Sequence, residues 1–191
     1  MSKFTERLER TLQPILEARD PRQQLSAYHD MPYAIFRYDP DEEFALRKAV
    51  SLLATRLQNK GKRLTRIYLS ECLTEALQSQ APLEEWFQIE KDVGLEETVQ
   101  TMANVLSDIR PLVDLVAERM PADPDPLTDV VFITRTGSLF PVYRTFSLLE
   151  QLKGRVTVPT VLFYPGDLDG AAGLRFMGVM QPEHNYRPKI F

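Results

Sequence analysis

A chain of 191 residues with 43% hydrophobic and 26% charged side chains can close a substantial core and lacks the charge imbalance of a disordered protein. Its 23 basic and 27 acidic residues leave a formal charge of −4, which opposes a broad nucleic-acid surface but not a small basic pocket. The one cysteine, Cys72, excludes an intramolecular disulfide and fits a reducing, cytoplasmic setting.

The length suits a single domain over 1–191. The opening MSKFTERLERTLQPIL carries charges every few positions and does not read as a secretory signal. No apolar run approaches the roughly 20 residues that span a bilayer. Phe4, Leu8, Leu12, Ile15 and Leu16 recur at helical spacing and predict an amphipathic first helix, kinked or restarted at Pro14. Asp20 to Pro32 reads as a connector, and Tyr33 to Tyr38 as a short strand. Asp39 or Asp41 is placed to cap the next helix, whose buried stripe is Phe44, Leu46, Val50, Leu53 and Leu57, with Gly61 as its stop. Lys60, Lys62 and Arg63 either solvate the turn that follows or meet an anionic partner.

Thr65 to Leu69 predicts a second strand and Glu71 to Leu77 a short helix in which Cys72 packs. Trp86, Phe87 and Ile89 dock a short helix over Pro82 to Ile89; exposed, they would mark a partner surface. Val99, Met102, Leu106, Ile109, Val113 and Val116 follow the helical repeat within Glu96 to Met120, interrupted by Pro111. The proline-rich Pro121 to Pro126 fits a rigid linker better than a calcium loop. Val130 to Thr134 is a buried strand, Pro141 to Leu152 a helix, and Thr157 to Tyr164 another strand ended by Pro165-Gly166. Gly166 to Gly170 reads as a surface loop, and Leu174 to Val179 as an edge strand. Strands alternating with helices predict an α/β fold with a mostly parallel central sheet flanked by helices. A degenerate nucleoside-triphosphatase-like three-layer sandwich without a phosphate-binding loop is one form of it.

In such folds, ligands gather beyond the carboxyl ends of the strands. There the sequence places Thr134-Arg135-Thr136-Gly137-Ser138, with Arg144 in the next helix. Gly137 would allow a sharp turn, and two arginine forks suit a phosphate or a carboxylate. The alternative is an internal ion-pair network with Asp39, Asp41 or Glu42. Arg37, Arg175 and Arg187 are further ingredients of an anion- or partner-binding site. Neither GxxxxGK[ST] nor GxGxxG occurs, and Ser138 lacks a GxSxG setting. His29 and His184 form no local metal motif, and a magnesium site from Asp39, Asp41 and Asp129 would require real proximity. No catalytic residue, metal or cofactor is therefore expected. Tyrosines 38, 68, 143, 164 and 186 beside arginines suit either stacked bases or a protein interface.

Several blocks together resemble the BrxB family of bacteriophage-exclusion (BREX) systems. They are Tyr33-Ala-Ile-Phe-Arg-Tyr-Asp-Pro40, Phe132 to Pro141 with Tyr143-Arg144, Val158 to Gly166, Leu174-Arg-Phe-Met-Gly178, and Asn185 to Phe191. The resemblance implies a small cytoplasmic component of an antiphage system, associated with its phosphatase-like protein, methyltransferase and ATPase. It transfers no catalytic residue set. The reading it favours is a non-catalytic accessory or scaffold protein binding other BREX proteins, especially the phosphatase-like component. A DNA- or nucleotide-binding module is the alternative, and a homo-oligomer stays open.

Overall fold

The computed structural model describes residues 3–26, 31–170, 173–184 and 187–191. Lys3–Arg7 (α1) and Gln13–Glu17 (α2) are joined by a π-helical turn, Leu8–Leu12. That wider turn lets the Gln13 amide bond the Leu8 carbonyl, and Pro14 falls at the start of α2, where a missing N–H costs nothing. The apolar stripe Phe4, Leu8, Leu12 and Leu16 thus stays buried through the proline. The connector includes a short helix, Arg22–Leu25 (α3). His29 and Tyr186 lie outside the described residues.

Tyr33–Tyr38 (β1) leads through a 3-10 turn, Pro40–Glu42, into Glu43–Asn59 (α4). The Asp39 carboxylate accepts the Asp41 amide at 3.0 Å and so caps the turn. Leu46, Val50, Leu53 and Leu57 are buried as expected, but Phe44 is 73% exposed. Two residues before Leu46, it points about 200° away around the helix and lies beneath the Arg47 guanidinium.

Arg63–Tyr68 (β2), Leu69–Gln78 (α5), Leu83–Val93 (α6) and Leu95–Asn104 (α7) follow. Trp86 is buried and donates its indole N–H to the Leu77 carbonyl at 3.1 Å, whereas the adjacent Phe87 is 63% exposed. Neighbours on a helix diverge by about 100°, so these two rings do not dock together. A π turn, Val105–Ile109, precedes Leu112–Glu118 (α8). The wider turn and Pro111 break the repeat, which leaves Ile109 exposed while Val113 and Val116 stay buried.

Asp129–Thr134 (β3), Thr145–Leu152 (α9), Thr160–Asp169 (β4), Gly173–Phe176 (β5) and Lys189–Ile190 (β6) complete the order. The expected helix from Pro141 begins only at Thr145. Ahead of it, Thr136–Leu139 forms a 3-10 turn and Phe140 is extended, as residues before proline prefer. β4 does not stop at Pro165-Gly166. It runs on to Asp169 and pairs antiparallel with β5, so the supposed loop after Gly166 is largely strand. Glycine is required there: a Cβ on Gly166 would sit 2.2 Å from the Arg175 carbonyl oxygen.

The sheet order is β2-β3-β4-β1-β6, parallel throughout, with β5 off the path on β4. Alternating side chains serve both faces. Ala34, Phe36, Phe132 and Phe163 pack with α4 and the N-terminal helices, while Ile35, Ile67, Ile133 and Leu162 pack with α5, α8 and α9. The fold is therefore α/β, a mostly parallel sheet between helical layers. Among the described residues no helix is long and apolar enough to cross a membrane.

Lys62 and Arg63 behave differently from a solvated turn. Lys62 is buried and donates to the carbonyls of Ala18, Leu127 and Arg19 at 2.6, 2.8 and 3.3 Å. Arg63 makes a two-pronged pair with the buried Asp129 carboxylate, 2.8 Å on each side. Both mark the edge where the parallel strands begin.

Candidate functional site

At the opposite edge, where the strands end, β3 leaves the sheet through Arg135. Its backbone is left-handed, with φ 61° and ψ 30°, a conformation that costs a residue with a Cβ about 1 kcal/mol. Gly137, expected to supply the sharp turn, is outside the positive-φ region. Hydroxyl groups hold the turn instead. Ser138 donates through Oγ to the Arg135 carbonyl at 2.7 Å, and Thr136 donates from full burial to the Phe163 carbonyl at 2.6 Å.

Arg135 opens onto a cleft of about 300 Å³, shared with Glu43, Arg47, Ser70, Ser138 and Met177. Pro40 and Pro165 complete its walls. Sequence-distant elements meet here because β1, β2, β3 and β4 all finish on one edge. An adjoining nook of about 60 Å³ adds Arg66, Tyr68 and Thr134. The Arg135 guanidinium lies 5.7 Å from the centre of the Tyr68 ring. Among the described residues it makes no hydrogen bond or ion pair. The Thr134 hydroxyl oxygen is likewise buried with no hydrogen-bond partner among them.

The one carboxylate that lines the cleft among the described residues is already engaged. Glu43 accepts from Arg47 Nε through Oε1 at 2.7 Å and from the Tyr38 hydroxyl through Oε2. Burial, and then Glu43, pushes the Tyr38 hydroxyl well above its usual pKa, while Arg47 and Arg135 pull the other way. With Glu43 balanced by Arg47, Arg135 gives the cleft a net positive charge. Ser70, the second residue of α5, also lines it, and no side chain caps that helix, so its first-turn amides lack a side-chain acceptor.

The other predicted arginines do not converge on Arg135. Arg37 donates to the Gly166 carbonyl at 3.1 Å and lies 3.6 Å from Asp167. Arg144, at the N-cap of α9, is exposed and pairs with Glu183 at 3.4 Å. Arg175 pairs with Asp169 at 3.3 Å across the β4–β5 hairpin. Arg187 is exposed near the end of the chain. No pair forms between these five arginines and Asp39, Asp41 or Glu42 among the described residues; Arg37, Arg144 and Arg175 make local pairs instead. Asp129 begins β3, at the edge opposite Asp39 and Asp41, so these three aspartates cannot share an ion.

The residue-by-residue reading did not single out Arg47, Arg66 or Ser70. Arg66 shares a face of β2 with Tyr68, and Ser70 follows the strand's end, so both carried a positional signal. Arg47 carried none beyond its i,i+4 spacing from Glu43.

Taken together, these features define an α/β protein with a small basic crevice beyond the carboxyl ends of parallel strands, the usual location of a recognition site. A family pattern described as "BREX protein BrxB" matches residues 65–190, and the chain belongs to this family. It is 29% identical over 189 residues to the BREX protein BrxB of Bacillus cereus (strain H3081.97), covering 98% of this chain and 96% of that one. No solved structure matches. Membership in a BREX family implies a role in antiviral defence.

Proposed function

We infer that the protein is a non-catalytic docking component of a BREX system, binding the phosphatase-like protein and helping to assemble it with the methyltransferase or ATPase. The observation that supports this reading is the apolar exposure on α6 and at its junction with α7. Phe87, Val93 and Leu95 are 63%, 50% and 63% exposed there, while Trp86 and the underlying core stay covered. Large exposed apolar side chains on successive helices favour a protein partner over water. The chain's net charge of −4 weighs against DNA as the principal partner.

Co-expression with the phosphatase-like component, followed by affinity capture after nuclease treatment, tests it. Phe87→Ser with Leu95→Ser should reduce the captured partner at least tenfold and leave the melting temperature within a few degrees. Capture abolished by nuclease in the wild-type protein, or unchanged in the double variant, would overturn docking through this surface.

A further inference from the structure

We propose that the cleft at the strand ends binds a small organic phosphate, of about the size of a nucleoside monophosphate. A volume near 300 Å³ falls at the lower end of small-molecule sites. It exceeds what one partner carboxylate would fill. Three kinds of feature make it a phosphate site.

The first is a free, pre-oriented cation. The Arg135 guanidinium lies over the Tyr68 ring, 5.7 Å from its centre. It makes no hydrogen bond or ion pair among the described residues, which leaves its N–H groups available for a two-pronged contact. Ser138 directs its own proton to the Arg135 carbonyl, so it fixes the turn rather than donating to a ligand. The second is the donor set of α5, a helix of 10 residues without a side-chain cap. Its second residue, Ser70, lines the cleft that Arg135 enters, which brings the uncapped start of the helix to the same space. The third is charge balance. Both Glu43 oxygens are occupied, by Arg47 and by Tyr38, so the carboxylate does not cancel Arg135.

The Arg135 fork, the Ser70 hydroxyl and the uncapped start of α5 thus border one cleft. That arrangement matches a tetrahedral group with three terminal oxygens better than a planar carboxylate with two. The walls formed by Pro40, Pro165 and Met177 give the organic part an apolar surface. A long polyanion is disfavoured by the overall charge of −4. Occupancy of this cleft is independent of the docking surface on α6 and α7.

Isothermal titration calorimetry on the full chain provides the test, with AMP, inorganic phosphate, adenosine, acetate and a 12-base-pair duplex as separate titrants. AMP should bind most tightly, inorganic phosphate next, and adenosine and acetate at least tenfold more weakly than AMP. Arg135→Asn should weaken AMP at least tenfold, since asparagine tolerates the left-handed backbone. Ser70→Asp should do the same while keeping the fold, because an acidic residue in the first turn favours a helix but repels phosphate. Adenosine or acetate equal to AMP, tighter binding of the duplex, no heat with AMP at millimolar concentration, or full affinity in both variants would each overturn the proposal.

Discussion

The two edges of the parallel sheet each hold a prominent cation, and they treat it in opposite ways. Where the strands begin, every prominent charge is satisfied within the fold: Lys62 by three carbonyls, Arg63 by Asp129, and Asp129 also by the Asp125 amide at 2.8 Å. Where they end, Arg135 occupies a costly backbone conformation and, among the described residues, finds only the face of a tyrosine. Burial with full pairing closes a structure. Strain without pairing points to recognition. The difference separates residues that hold the fold from residues held by it.

The largest effect that would sharpen this contrast is at Lys62. Replacing it with methionine keeps the stem's packing but leaves three carbonyls without their charged donor, at a cost of about 2–3 kcal/mol. Urea denaturation should show the midpoint falling with an unchanged slope. A loss below about 0.5 kcal/mol, the scale of an ordinary surface substitution, would show that the ammonium is no clasp.

Acid comes next. Asp20 is held down to about 2, chiefly by the Arg22 guanidinium, and Asp125 is lowered by the Leu127 amide and the Thr128 hydroxyl. Glu75, between Arg119 and Arg110 on the α5–α8 side, is lowered as well. Because these carboxylates bind protons less readily when folded, their contribution is complete above the unfolded carboxylate range and disappears as pH falls through the folded values. Melting temperature at fixed ionic strength should therefore fall between about pH 5 and pH 2. Asp125→Asn should flatten the lower part of that curve. A melting temperature constant across the window would mean that pairing at the opening edge contributes little.

The sequence made this contrast only half visible. Buried parallel strands are written as apolar runs, so Tyr33 to Phe36 and Val130 to Thr134 could be read directly. Lys189–Ile190 could not, since two residues become a strand only through pairing with Ala34 and Ile35. Arg135 was visible as a strand exit, yet the neighbouring glycine attracted the turn that Arg135 itself takes. Arg47 and Ser70 reach the cleft because the connection from β1 to β2 passes over β4 and β3. No local pattern encodes that convergence. Conversely, Arg144 looked close to Arg135 in sequence, but the 3-10 turn and the extended Phe140 direct it to Glu183.

The smallest effect is the most discriminating. In Arg135→Asn, relief of left-handed strain is worth about 1 kcal/mol. Loss of a partly exposed cation–π contact costs about 0.5–1 kcal/mol, and no hydrogen bond or ion pair among the described residues is broken. The terms nearly cancel, so stability should change by less than about 0.5 kcal/mol. Chemical denaturation beside Lys62→Met measures both residues on one scale. A loss approaching that of Lys62 would make Arg135 a structural cation after all, and the closing edge of the sheet would then resemble the opening one. An unchanged midpoint leaves a charged side chain that the fold does not need, held at some backbone cost over a cleft, which is the signature of selection for something outside the chain.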